Sequence, residues 1–476
     1  MGLCAITGAV ALYGVFVFFY LVWLRLFYPY GVGLGEAPVF QATEMLGRGV
    51  WPYRDLSTPP FSLVPYGPVY LWLTSLAHSW LGGGPFVAGR LITATATVGV
   101  SVMIAMTLRQ MGVSRVFACL AGATFLFHKY TQNWSVMVNV DMTGVFLDLL
   151  AFYFYSLALL KGPTQKRWLG LGIAISALAF FTKSSMIAAP AAFFLILLSQ
   201  KRWREVFSLS VCLGSIVIVT LLYLNHVTAG QYWFHTTEIS HRLFFKEFIG
   251  IYWWDAFRTG PVLVIGSAAY FVYRFFQKRV DYFFVYALLA FVLTLSLGKQ
   301  GSDTNYLLQC TALSCVMVGI FLKEIRWIPL LLLAAQLTMW VPAYGNIALS
   351  KKDFEKREKF YDHVSAIVKQ VPGKVLSMDM SLLVANGKEV FYEPFPMGQM
   401  SYSGLWDDRL ITDRLDKKEF SLALLFFLAP KLRADRNFTK NFMTAFNRNY
   451  RLTAYQELPT SSNEAKQFLF FYEPIR

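Results

Sequence analysis

Apolar stretches long enough to cross a lipid bilayer recur through residues 1–345, and nothing else in the sequence constrains the fold as tightly. They lie near 5–27, 88–108, 115–130, 142–160, 168–183, 185–200, 205–226, 260–277, 281–298, 306–322 and 327–345. Inside hydrocarbon every backbone N–H and C=O must find a partner within the protein, so such runs fold as helices of roughly 20 residues. The sequence therefore predicts an α-helical polytopic membrane body of about 11 spans. The first run lacks a basic start and a small-residue cleavage site, and reads as an anchor rather than a removable signal.

Polar residues divide the chain in two. Residues 1–345 hold 23 basic and 12 acidic side chains, whereas the much shorter 346–476 holds 20 and 16. The second part, 346–476, is expected to be a soluble extracytoplasmic α/β or α+β domain. Its Asp353–Gln370 stretch has amphipathic helix spacing, Lys374–Met378 and Val390–Tyr392 are strand-like, and Phe420–Leu428 suits a buried strand. At 56% hydrophobic residues the chain is too apolar for disorder. Its five cysteines all sit in apolar runs without metal-ligand spacing, which excludes a disulfide-rich scaffold.

The formal charge of +15 is a statement about topology. Five short connections, 109–115, 161–167, 201–204, 274–279 and 323–326, carry 13 Lys and Arg against the single acid Glu324. Cytoplasmic loops collect basic residues, so these five fall inside if the N-terminus does, and an odd span count leaves the tail outside. No nucleic-acid partner is needed to explain the charge. The longer polar connections, 28–87, 131–141, 227–259 and 299–305, then share the outer side. Within the first, Pro68–Leu81 is apolar but too short to span, and reads as a helix lying in the interface.

Those outer connections hold the candidate site residues. Glu36 follows the first span after a Gly-rich turn, where it is either a general base or a solvated loop acid. Asp55 is preceded by Arg54, which also allows a local ion pair. Asp141 opens the fourth run, a position that a helix dipole favours by itself. Lys183 and Arg90 lie on the outer side against the basic-inside trend, as anion ligands or as snorkelling side chains. Asp303, Asn305 and Tyr306 cluster at the mouth of the tenth run. His235, Glu238 and His241 would form a metal site only if their loop folded around an ion.

Taken in order, these pieces are similar to a known group. Gly35-Glu36, Ala42–Gly49, Pro52-Tyr53-Arg54-Asp55, Tyr66-Gly67-Pro68, Gly89-Arg90-Leu91, Asp141, Thr182-Lys183-Ser184 and Asp303–Tyr306 share one predicted side. The chain resembles the polytopic GT-C glycosyltransferases, in particular bacterial members related to the protein O-mannosyltransferase and lipid A aminoarabinose transferase groups. That resemblance covers most of the membrane body. It implies inverting transfer of a sugar from a polyprenyl-phosphate donor to a glycan, lipid or protein acceptor, with loop 28–87 carrying the active site; the residues themselves establish no cofactor and leave a divalent metal open. Glu36 matches the family's activating acid and Asp141 its second loop acid. Arg90 and Lys183, with Arg54 behind them, would face the phosphate, and Asp303, Asn305 and Tyr306 would bind substrate. Many relatives carry Asp-Glu where this chain has Gly35-Glu36, so Asp55 is the alternative base. A transporter or flippase of a lipid-linked saccharide is the competing reading, and would call for broken helices in paired repeats.

Overall fold

The computed structural model describes residues 2–160, 165–237, 243–325, 327–428, 438–459 and 467–475. The membrane body runs α1 (Gly2–Leu26), α2 (Glu36–Gly47), α3 (Pro68–Leu81), α4 (Val87–Gln110), α5 (Arg115–Phe127), α6 (Lys129–Trp134), α7 (Asp141–Leu159), α8 (Gln165–Phe180), α9 (Ala188–Ser199), α10 (Trp203–Val227), α11 (Gln231–Thr237), α12 (Lys246–Thr259), α13 (Pro261–Phe276), α14 (Tyr282–Leu293), α15 (Leu308–Glu324) and α16 (Trp327–Tyr344). Among the described residues six helices are long and apolar enough to cross a membrane, or seven if α12 and α13 count as one span bent by 110°. The bend falls at Gly260-Pro261, where proline suits a first helical turn and disfavours helix in the residue before it. Shorter apolar helices occupy the runs expected at 115–130, 185–200 and 281–298.

Helices pack closely where one of them offers no side chain. A Cβ on Gly14 of α1 would lie 2.3 Å from the Phe127 ring of α5. Small residues of this kind let membrane helices approach without a hydrophobic driving force. Inside the body, Asp148 accepts from Tyr286 Oη (2.9 Å), Gln309 Nε2 (2.5 Å) and the Ala189 amide (3.3 Å), tying α7 to α14, α15 and α9.

The five basic connections gather at one end of the bundle. Lys323 Nζ donates to Met111 O (2.9 Å), Ser156 Oγ to Gln110 Oε1 (2.8 Å) and Gln165 Nε2 to Glu205 Oε1 (3.1 Å). Tyr273 meets Phe321 with ring centroids 5.8 Å apart. A helix, α3, forms over the residues expected of an interfacial one. Tyr70, Leu71 and Thr74 face inward while Trp72, Leu76 and Trp80 stay exposed.

After α16 the long helix α17 (Ile347–Gln370) leads into a four-stranded mixed sheet. Its strands are β1 (Lys374–Ser377), β2 (Phe420–Leu428), β3 (Tyr450–Glu457) and β4 (Gln467–Pro474), in the order β1-β2-β4-β3. The β1–β2 pair is parallel, and the β2–β4 and β3–β4 pairs are antiparallel. Helices α18 (Met380–Ala385), α19 (Pro394–Tyr402), α20 (Arg409–Asp416) and α21 (Lys440–Asn449) complete the region. The strand expected at Val390–Tyr392 is outside this sheet; instead Tyr392 makes an isolated parallel bridge to Phe61 in the first outer connection.

Candidate active site

Glu36 opens α2 and is fully buried. Its Oε1 accepts from Arg90 Nε (2.9 Å) and the Val138 amide (2.7 Å), and its Oε2 from Arg90 Nη2 (2.8 Å) and the Val32 amide (2.7 Å). A guanidinium has five N–H donors. Arg90 directs the remaining three at the carbonyls of Arg25 (2.7 Å), Tyr28 (2.5 Å) and Tyr30 (2.6 Å). Every donor of the arginine and every oxygen of the glutamate is thus engaged. The pair pins the chain after α1 to α4 and to the segment before α7.

A second pair lies beside it. Lys183 Nζ donates to Asp141 Oδ1, and its ammonium stands 4.2 Å from the Tyr306 ring centroid, a cation–π distance. Asp141 Oδ2 accepts from Asn305 Nδ2 (2.9 Å). Asn305 Oδ1 is buried with no partner. The structure therefore brings Asp141, Lys183, Asn305 and Tyr306 together, with Asn305 as the member that reaches open space.

That space is a cavity of about 800 Å³ at the end of the bundle opposite the basic connections. Its wall includes Gly35, Val64 and Tyr66 from the first outer connection, Lys129 and Asn133 from α6, and Asn139, Asp303 and Asn305. Arg25 at the end of α1 and Asp255 of α12 also line it. Phe354, Arg357, Glu393 and Phe395 reach it from the C-terminal region. Arg25 donates to Gln132 O (2.5 Å) and leaves its Nε buried without a partner. Among the described residues Arg25, Lys129 and Arg357 have no ion-pair partner. The carboxylates are held differently: Asp255 accepts from Tyr130 Oη (2.7 Å), Glu393 from Ser62 Oγ (2.9 Å) and the Leu63 amide (3.0 Å), and exposed Asp303 from its neighbour's amide at Thr304 (2.5 Å).

Asp55 stands apart. It is exposed and accepts from the amide and hydroxyl of Ser57, which hold its carboxyl below the usual range. The Arg54 side chain is also exposed, and its carbonyl bonds His235 Nε2 (2.8 Å). The other His235 nitrogen, Nδ1, accepts from the Val64 amide (3.1 Å), so this imidazole links two outer connections and has no site left for a metal. Glu238 and His241 lie outside the described residues. Among the described residues no three His, Cys, Asp or Glu side chains converge to hold a metal ion. Gly35, where many of the resembled enzymes carry aspartate, lines the cavity, and a Cβ there would meet nothing within 4 Å.

Arg25, Lys129, Arg357, Asp255 and Glu393 escaped the reading of the sequence. Arg25 and Lys129 carried a usable signal, since both are cations at the ends of apolar runs away from the basic connections. Arg357 and Glu393 carried none, because only tertiary contact brings the tail to this wall.

ArnT from Cupriavidus metallidurans bound to undecaprenyl phosphate superposes over 98% of this chain and 98% of its own, with a TM-score of 0.61 at 13% identity. This protein shares the fold of that ArnT. An Archaeoglobus fulgidus oligosaccharyltransferase tethered to an acceptor peptide containing the NVT sequon matches over 98% of this chain and 74% of its own (TM-score 0.56, 13% identity). The apo form of that oligosaccharyltransferase matches over 87% and 69% (TM-score 0.54, 12% identity). Residues 64–228 match the model of the dolichyl-phosphate-mannose-protein mannosyltransferase family. No curated protein matches the sequence significantly. The matched segment begins at the cavity wall, with Val64, and contains Arg90, Asp141 and Lys183.

Proposed function

We propose that the protein is an integral-membrane, inverting glycosyltransferase that moves a sugar from a polyprenyl-phosphate donor to a glycan, lipid or protein acceptor of the cell envelope. The basic end faces the cytoplasm of a bacterium, and the cavity opens on the outer face of the cytoplasmic membrane. The observation that carries this reading is a cavity with three cations, Arg25, Lys129 and Arg357, that have no ion-pair partner among the described residues, beside the exposed carboxylate Asp303.

The chemistry follows from the charges. The acceptor hydroxyl attacks the anomeric carbon from the face opposite the phosphate, a new C–O bond forms, and the old one breaks with its electron pair going to phosphate. Polyprenyl phosphate departs with one more negative charge than the donor's phosphodiester carries. Cations already in place at a cavity wall stabilise that developing charge without reorganisation. The hydroxyl proton goes to a carboxylate facing the cavity, and Asp303 is the one we assign. Glu36 then acts as a positioning residue, by fixing the connection that carries Gly35.

The test is transfer of labelled sugar from a polyprenyl-phosphate donor by Asp303→Asn, with thermal stability measured in parallel. A fall in turnover of about 10²-fold or more at unchanged stability is expected of a lost general base. Wild-type transfer by that variant removes Asp303 from the role. Movement of a lipid-linked saccharide across sealed vesicles without covalent transfer would replace the whole reading with transport.

A further inference from the structure

The tail is built around a piece of the first outer connection. Leu56, Phe61 and Leu63 share one buried cluster with Leu376, Phe391, Trp406, Phe420 and Phe442 of the C-terminal region. Phe61 is fully buried there, with ring centroids 5.6 Å from Phe391 and 5.2 Å from Trp406. Its amide donates to Phe391 O (2.9 Å) and its carbonyl accepts from the Glu393 amide (2.9 Å). Trp406 Nε1 reaches back to Leu56 O (2.8 Å). Backbone polar groups away from water need such partners, and here each chain segment supplies them to the other.

Glu393 sits where this clamp meets the cavity. It occupies the position just before α19, lines the cavity and is mostly buried. The carboxylate accepts from Ser62 Oγ and the Leu63 amide, and Leu63, Val64, Pro65 and Tyr66 form the adjoining wall. We infer that Glu393 is a positioning residue of the transferase, through which the C-terminal region sets the shape of the donor cavity by holding residues 61–66. The inference rests on the donor reading above and deepens it, giving the C-terminal region a part in the reaction. A carboxylate accepting two bonds from consecutive residues fixes the backbone direction there, and displacements of about 1 Å at a site are enough to reduce rates strongly.

The experiment uses the full chain in detergent, with undecaprenyl phosphate as the probe. Hydrogen exchange at the Leu63 amide and the affinity for the probe are measured for wild type, Glu393→Ala and Glu393→Gln, with melting temperature as the control. Alanine is expected to speed Leu63 exchange at least tenfold and to weaken probe binding about tenfold, with the melting temperature lowered only as far as the loss of these two bonds requires. Glutamine keeps an acceptor oxygen for both donors and is expected to restore both readouts to within about threefold of wild type. Unchanged Leu63 exchange in the alanine variant overturns the clamp. Faster exchange with unchanged binding overturns the positioning role. A glutamine variant as weak as alanine also overturns it, since the charge itself would then act. If wild type binds no undecaprenyl phosphate, the donor reading fails, and Leu63 exchange still decides the clamp.

Discussion

Replacing Glu36 with glutamine separates two roles that a carboxylate near a membrane surface can have. Each Glu36 oxygen accepts one backbone amide, Val32 or Val138, and one N–H of Arg90. Whichever end the new amide nitrogen takes, it meets two donors with a third, and two bonds become repulsive contacts. The buried guanidinium also loses its counter-charge. Removing one partner of a buried ion pair costs about 3–5 kcal/mol, and two orphaned donors at about 1–3 kcal/mol each give the same scale. Against a native stability of about 5–15 kcal/mol, that is roughly a fifth or more of the margin. Adding Arg90→Leu brings no rescue, because the carbonyls of Tyr28 and Tyr30 and one of the two amides are then left unpaired in the interior. The assay is thermal unfolding in detergent alongside donor-dependent transfer. The expected result is a strongly lowered melting temperature for Glu36→Gln and at least as low a value for the double variant. Full stability with abolished transfer would refute the positioning role and make Glu36 the base.

Three further outcomes are expected. Lys129→Met removes one of the cavity cations and lowers turnover by about 10²-fold with stability retained, as loss of a preorganised charge stabiliser does; turnover equal to wild type would place the phosphate elsewhere. His235 is neutral in the fold, and its pKa is pushed below the ordinary 6.5, first by burial, with the Arg54 carbonyl opposing. The stability it contributes is present above 6.5 and lost as pH falls through the lowered value, because a proton on Nδ1 would displace the Val64 amide. Melting temperature measured against pH should therefore fall more steeply on the acid side for wild type than for His235→Gln, and parallel curves would contradict this. Gly67→Ala sets a Cβ 1.9 Å from the Phe181 carbonyl oxygen, a backbone atom that cannot swing away. Overpacking of about 1–3 kcal/mol is expected from unfolding curves, and an unshifted curve would show that α3 can slide.

Much of the helical architecture was legible because its cause is local. A bilayer accepts only segments that satisfy their own backbone, so an apolar run of sufficient length is a helix whatever surrounds it. The interfacial helix at Pro68–Leu81, the strand at Phe420–Leu428 and the helix ending at Gln370 could be read from their own residues. The strands β3 and β4 could not, since β3 is an edge whose side chains are mostly exposed and carries little burial pattern.

The site was legible as a set of residues but not as a set of roles. Sequence alone determined where charges fall relative to apolar runs, and so which end of the bundle is basic and which cations break that rule. Only the tertiary structure decided which charges are already matched inside the protein. Glu36 and Arg90 are 54 residues apart and Asp141 and Lys183 are 42 apart, and each pair closes on itself. Arg25, Lys129 and Arg357, drawn from three separated segments, are left facing the cavity without such a match among the described residues. The reason is the range of the forces. Hydrophobic burial in a membrane is set by each segment's composition, whereas a buried charge is decided by whichever groups lie within about 4 Å of it, and that is a property of the fold.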